Sequence, residues 1–201
     1  MRQSVRFVAG ADLAFHPDGQ RCVAGLVVYD IDAQEVIEEA LAWRPARFPY
    51  VPGLLSFREA PAVLAAIRKL KTVPDLFMFD AQGLAHPRRF GLACHVGLLI
   101  DQPAIGCAKS RLCGQHQSPP ARPGQFTPLV DGGETIGAVL RTRKGVKPVY
   151  VSVGHRVTLD DAVRVVTICT TRYRLPEPTR HAHILVTRHR RDDLIRKPRL
   201  R

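Results

Sequence analysis

Apolar and polar positions alternate through the opening third of the chain in the manner of strands. "RFVAGADLAF" (6–15) is apolar with alternation, "HPDG" (16–19) is a turn signal, and "RCVAGLVVYD" (21–30) returns along the first strand. "QEVIEEALAW" (34–43) reads as a third strand, although its glutamates and alanines would also suit a helix. Three strands joined by short turns make an antiparallel meander.

The texture then changes. "FPYVPG" (48–53) holds two prolines and a glycine and is a stiff loop. "SFREAPAVLAAIRKLK" (56–71) has helical periodicity through Phe57, Leu64, Ile67 and Leu70, with Pro61 tolerable only near its first turn. "DLFMFD" (75–80) is a short continuous apolar run, the signature of a strand covered on both faces. "RFGLACHVGLLID" (89–101) predicts a helix and "PAIGCAKS" (103–110) another short strand. The middle of the chain is therefore α-β-α-β, and its first strand lies most easily parallel to the strand at 6–15. Residues 114–128, rich in proline, predict a loop; "ETIGAVLRT" and "PVYVSVGH" flank "RKGVK" as a hairpin. Helices follow over 158–173, with Thr158 as a candidate N-cap, and over 176–191. The expectation is an α/β fold in which a mixed sheet, an antiparallel three-strand meander plus parallel strands, is flanked by helices. One domain spans 1–190 and a basic tail 191–201; no internal repeat is visible.

Composition narrows what such a domain can do. The 201 residues are 45% hydrophobic, a globular proportion. No apolar stretch approaches the ~20 residues of a membrane span. The N-terminus carries no secretion signal, so a soluble cytoplasmic protein with no membrane partner is expected. Thirty Lys and Arg against eighteen Asp and Glu leave a formal charge of +12. That excess favours a polyanionic partner, nucleic acid first and an anionic membrane surface second. Five cysteines without a C-x-x-C pair argue against a disulfide framework or a zinc knuckle. Neither G-x-x-x-x-G-K-[ST] nor G-x-G-x-x-G occurs, so no nucleotide cofactor is expected.

Two acids stand where acids are costly. Every neighbour of Asp12, from Val8 to Phe15, is small or apolar, and Asp80 closes the run "LFMFD". A buried charge needs a metal, a partner or water. With the two strands parallel and adjacent, Asp12 and Asp80 fall side by side near the carboxyl end of the sheet, where open α/β sheets hold ligands. Paired carboxylates repel unless a cation neutralises them, and an oxygen-rich site suits Mg²⁺ or Mn²⁺ better than zinc. The plain alternative is that Asp12 accepts backbone hydrogen bonds and Asp80 opens a turn. Glu59 is open between two readings, a capping box with Ser56 and a reach from the helix mouth to the metal. His181 and His183 point about 200° apart on a helix, so at most one faces the site. Lys109, just past a short strand, can neutralise a phosphate, as can His86 and Arg88 after Asp80. His95, His116 and His155 read as structural or solvent residues.

These residues sit in blocks that resemble the endonuclease V family, inosine-directed nucleases with a ribonuclease-H-like fold. The blocks are "AGADLAF", "FPYVPGLLSFRE", "PDLFMFDAQGLAHPRRFGLACHVGLL", "PAIGCAKSRLCG", "VSVGHRV" and "RLPEPTRHAH", running in order from about residue 8 to 183. The resemblance implies that Asp12 and Asp80 bind metal, that Glu59 and His183 complete the metal site, and that Lys109 lies near the scissile phosphate. It implies a wedge at Pro49, Tyr50, Val51 and Pro52, and a base pocket shaped by Gly53, Leu55, His86, Gly106 and Leu112. The implied activity is Mg²⁺-dependent cleavage, with Mn²⁺ able to substitute, of the second phosphodiester bond 3′ to deoxyinosine in DNA repair. It would leave 3′-hydroxyl and 5′-phosphate ends. The implied partner is inosine-containing DNA, with RNA cleavage or inosine binding without cleavage as alternatives; a monomer is expected. Two departures stand out: few residues precede the first strand, where the family often has a helix, and Ala81 replaces the family's usual glycine after the second aspartate.

Overall fold

The structure, a computed structural model, describes residues 5–49, 51 and 53–196, with side chains through residue 191. Eight strands form one sheet in the order β3-β2-β1-β4-β5-β8-β7-β6. Strands β1 (Phe7–Phe15), β2 (Arg21–Asp30) and β3 (Glu35–Pro45) are the expected antiparallel meander. The segment at 34–43 is thus a strand: Ala40 and Ala42 face the core while the glutamates stay outside it. Strand β4 (Leu76–Phe79) lies parallel to β1, and β5 (Ala104–Ala108) parallel to β4. Strands β7 (Glu134–Leu140) and β8 (Val149–His155) form the expected hairpin, and β8 pairs antiparallel with β5.

Strand β6 (Phe126–Asp131) falls partly inside the segment expected to be loop. It is the edge strand, where Pro128 forfeits no ladder bond that the sheet requires, and it buries Leu129. Its turn to β7 is Gly132-Gly133, with φ of +59° and +82°, the paired left-handed conformation of a tight hairpin.

Helices cover both faces. On one, α1 (Leu55–Ile67) and α2 (Leu92–Ile100) pack on Ala9, Ala11, Phe77 and Phe79. On the other, α3 (Leu159–Ile168) packs on Val8, Leu76 and Met78. This is the period-two logic of a strand buried on both sides. Helix α2 starts three residues later than expected, at Leu92, because Arg89 has φ +52° and Gly91 is the cap. Thr158 caps α3 by accepting from the Asp161 amide at 3.2 Å, but the helix ends at Ile168, not 173. Helix α4 (Glu177–Arg196) runs past the expected end at 191.

Helix α4 meets β1 at an unusually close point. A Cβ on Gly10 would stand 2.1 Å from the carbonyl carbon of Pro178, so only glycine permits the approach. Gly10 and Asp12 share one face of β1, so this contact also sets the height at which α4 passes Asp12. Gly10→Ala is expected to cost about 3 kcal/mol, the upper range for overpacking, measured as a lowered denaturation midpoint.

Candidate active site

Strand pairing delivers the two aspartates. Ala11 sits opposite Phe79 in the parallel ladder, and the Asp80 amide continues it by donating to the Ala11 carbonyl at 3.1 Å. The next pair is Asp12 beside Asp80. From α4, His183 places Nδ1 2.7 Å from Asp12 Oδ2. One donor atom each from Asp12, Asp80 and His183 lies within 4.8 Å of the others, and these are the atoms a divalent cation would take. Asp12 Oδ1 also accepts from the Leu13 amide at 2.8 Å, the backbone bond of the plain reading, while Oδ2 stays with the cluster.

Glu59 arrives from α1 on the opposite side of the sheet. The N-cap of α1 is Leu54, with no side-chain cap hydrogen bond, so the capping-box reading of Glu59 fails. The carboxylate instead lines a small cavity shared with Asp12 and Asp80. Burial, then the charge on Asp12 and to a lesser degree that on Asp80, pushes the Glu59 carboxyl up to about 7, with Arg58 opposing. Burial likewise raises Asp80, against the hydrogen bond from Lys109. Three carboxylates and one imidazole with too little positive charge among them fit a hard divalent ion.

Lys109 follows β5 directly and its ammonium forms an ion pair with Asp80. His181, by contrast, turns to Glu177 and Arg180, so of the two helical histidines it is His183 that faces the aspartates. His155 pairs with Asp101, His116 contacts Tyr150, and His95 lies against Phe57 and Phe90; all three stand outside the carboxylate cluster.

Beside the carboxylates opens a cleft of about 780 Å³. Gly53, Leu55, His86 and Leu112 line it together with Glu59, Asp80 and Lys109. Gly106 does not: it lies beneath the wall, where an added Cβ would meet Ala81 O at 2.5 Å and Gly83 N at 2.6 Å. Its role is to let the loop after Asp80 sit directly on β5. Of the loop residues, Pro49 lines an adjacent groove rather than this cleft, Val51 accepts from the Leu54 amide at 2.9 Å, and Tyr50 and Pro52 lie outside the described residues. Ala81 has no positive φ, so its position does not require glycine. His86 is buried; burial and Arg88 hold its pKa below the usual range. Its Nδ1 accepts from the Arg88 amide at 3.2 Å, which leaves the proton on Nε2.

Two further residues shape the wall. Gln82 Nε2 donates to the Ser110 carbonyl at 2.9 Å, and Arg174 donates to Lys147 O at 2.9 Å and Pro148 O at 2.8 Å while also holding the Lys109 carbonyl at 2.6 Å. Together they fix the segment carrying Lys109. Nothing in the spacing of Gln82 or Arg174 signals this, because both bonds join parts of the chain far apart in sequence.

Comparison with known proteins places the chain in a family. The family model for endonuclease V matches residues 1–184. Endonuclease V of Roseiflexus sp. (strain RS-1) is 55% identical over 186 residues, covering 92% of this chain and 83% of the relative. The crystal structure of endonuclease V from Streptomyces avermitilis superposes with a TM-score of 0.91 at 45% identity, covering 94% of this chain and 83% of that one. Endonuclease V of Ciona intestinalis, solved with a 24mer DNA containing an inosine followed by a ribo-adenosine, shares the fold at 23% identity and TM-score 0.81, covering 94% and 88%. The chain belongs to the endonuclease V family and has its ribonuclease-H-like fold.

Proposed function

We propose that this protein is a Mg²⁺-dependent endonuclease that recognises deoxyinosine in DNA and hydrolyses the second phosphodiester bond 3′ to it. The products are 3′-hydroxyl and 5′-phosphate ends. The observation that carries the reading is the convergence of Asp12, Asp80 and His183 within 4.8 Å, beside Glu59, at the mouth of a cleft of base-binding size. Asp12 and Asp80, with Glu59 and His183 completing the set, would hold Mg²⁺, with Mn²⁺ as a substitute; the bound ion would polarise the phosphate and stabilise the leaving oxygen.

The chain's own groups divide the rest of the work. Glu59 and His183 orient the attacking water. Lys109 leaves its pairing with Asp80 to offset the negative charge that develops on the phosphate. In the cleft, backbone groups at Gly53, Leu55 and Leu112 and the Nε2–H of neutral His86 contact the displaced base. Gly106 acts one layer below, by keeping the wall close. Extracting a base from a duplex costs a few kcal/mol, less at a mismatched inosine. The segment Pro49-Tyr50-Val51-Pro52 would act as the wedge, with the Tyr50 ring filling the gap left by the displaced base. The net charge of +12 adds sequence-independent, salt-sensitive affinity. Inosine DNA bound to the Ciona relative supports the choice of lesion.

Tyr50→Ala is expected to cut the preference for inosine over adenosine by about tenfold, the scale of one lost base–aromatic stack. Competition cleavage on the two duplexes measures it, and an unchanged preference removes the wedge role. The substrate reading is tested by paired cleavage of matched inosine-containing DNA and RNA strands. Faster cleavage of DNA is expected; turnover confined to RNA would reassign the substrate.

A further inference from the structure

Next to the cleft lies a second groove of about 550 Å³, which the proposed chemistry touches only through Pro49 of the wedge. Its lining includes Arg44, Arg47, Arg58, Phe48, Phe57 and Pro61, and no aspartate or glutamate is among the described residues around it. Phe48 and Phe57 stack with ring centroids 5.8 Å apart, and Phe57 is 45% exposed. Phe48 is half-buried, and the cluster continues into the ring of His95, 4.8 Å from Phe57, so the exposed Phe57 ring caps an aromatic surface that faces water.

The three arginines differ in how they are held. Arg58 lies 4.3 Å over the Phe15 ring and donates to the Gly19 carbonyl at 2.7 Å, and its buried Nε has no partner. Arg44 donates to the adjacent Trp43 carbonyl at 3.1 Å, and Arg47 has no hydrogen bond or ion pair among the described residues. Both are exposed. Two exposed guanidinium groups, one holding only a neighbouring carbonyl and the other without a partner among the described residues, over an aromatic and prolyl floor, match a phosphodiester with its sugar and base.

Position ties the groove to the cleft. The first turn of α1 separates them: Leu55, Ser56 and Glu59 line the cleft, while Phe57, Arg58 and Pro61 line the groove. A strand with one base in the cleft needs only to cross this turn to enter the groove.

We propose that the groove is a second nucleic-acid subsite. It takes an unpaired nucleotide of the strand bound in the cleft, with Arg44 and Arg47 on its phosphates and the Phe48–Phe57 pair beneath its base. The proposal rests on the nuclease reading above for the identity of that strand.

The test is fluorescence anisotropy with a labelled single strand containing one deoxyinosine, in EDTA, from 50 to 200 mM salt. Each phosphate contact on a single strand contributes about 0.7 to the salt slope, so Arg44→Gln/Arg47→Gln should lower the slope by about 1.4. Arg68→Gln/Lys71→Gln removes the same charge at the far end of α1 and should leave it unchanged. Phe57→Leu, which keeps apolar packing, should weaken binding about fivefold. An unchanged slope in the first variant, an equal drop in the control, or unchanged affinity in Phe57→Leu overturns the subsite. Displacement of the labelled strand by polyglutamate as effective as by unlabelled DNA would assign the groove to an acidic peptide instead. Failure of the nuclease reading shows separately, as a wild-type protein that does not nick this strand in Mg²⁺, and leaves the slope comparison intact.

Discussion

Asp80→Ala is expected to abolish nicking while binding to inosine DNA stays as tight or becomes tighter. The two effects separate because Asp80 does two opposing things. In the proposed mechanism it is the carboxylate beside Asp12 that would help hold the cation, and its loss would remove the charge stabilisation that the ion gives the leaving oxygen. A loss of at least about a thousandfold in rate corresponds to about 4 kcal/mol of transition-state stabilisation. As an anion in the proposed phosphate-binding cleft, however, it would repel the substrate, and it ties up Lys109. Removing it frees that ammonium for the backbone. Single-turnover rates and anisotropy titrations on one labelled duplex measure both arms. Surviving turnover would take Asp80 out of the metal site; lost binding with lost folding would make it structural.

Glu59→Gln is expected to flatten the pH dependence of the metal-free protein. The folded-state value of about 7 exceeds the ordinary carboxylate value of 4.5, so between those values the folded protein holds a proton that the unfolded chain has released. Stability therefore falls as pH rises from about 4.5 to 7 and is level beyond. Burial also raises Asp80, which adds a fall of the same sign. The variant should recover roughly 1 to 3 kcal/mol at pH 8 relative to wild type, with little difference at pH 4. The same proton competes with the ion, so Mg²⁺ affinity should climb as pH rises toward 7 and then plateau. Denaturation of the metal-free proteins and calorimetric Mg²⁺ titrations at pH 6 and 8 check both. Parallel pH profiles for wild type and variant would contradict the burial of charge argued for Glu59.

Much of this site is legible in the residues, for physical reasons. Asp12 and Asp80 are visible because an acid in an apolar strand breaks the pattern, and parallel pairing then puts them together. The β6 strand is hidden by Pro128 and the proline-rich run before it, which an edge position tolerates, although Gly132-Gly133 marks its turn. Glu59 and Ser56 have capping-box spacing by coincidence: α1 begins one residue before Ser56, and the glutamate faces inward. The choice of His183 over His181 depends on the rotation of α4, which turns His183 to Asp12 and His181 to Glu177 and which helical spacing alone does not reveal. The resemblance implies Gly106 as a pocket residue, yet its missing side chain serves the loop above it. Ala81 departs from the family without consequence for the backbone, since its conformation is one that any L-residue adopts.

Four side chains, Asp12 in β1, Asp80 just past β4, Glu59 in α1 and His183 in α4, form the proposed metal-dependent nuclease site. A 5′-labelled duplex with a single deoxyinosine, incubated with Mg²⁺ or with EDTA, is the direct test. One product is expected in Mg²⁺, ending in a 3′-hydroxyl at the second bond beyond the lesion, and none in EDTA. Retarded mobility without a metal-dependent nick would contradict it.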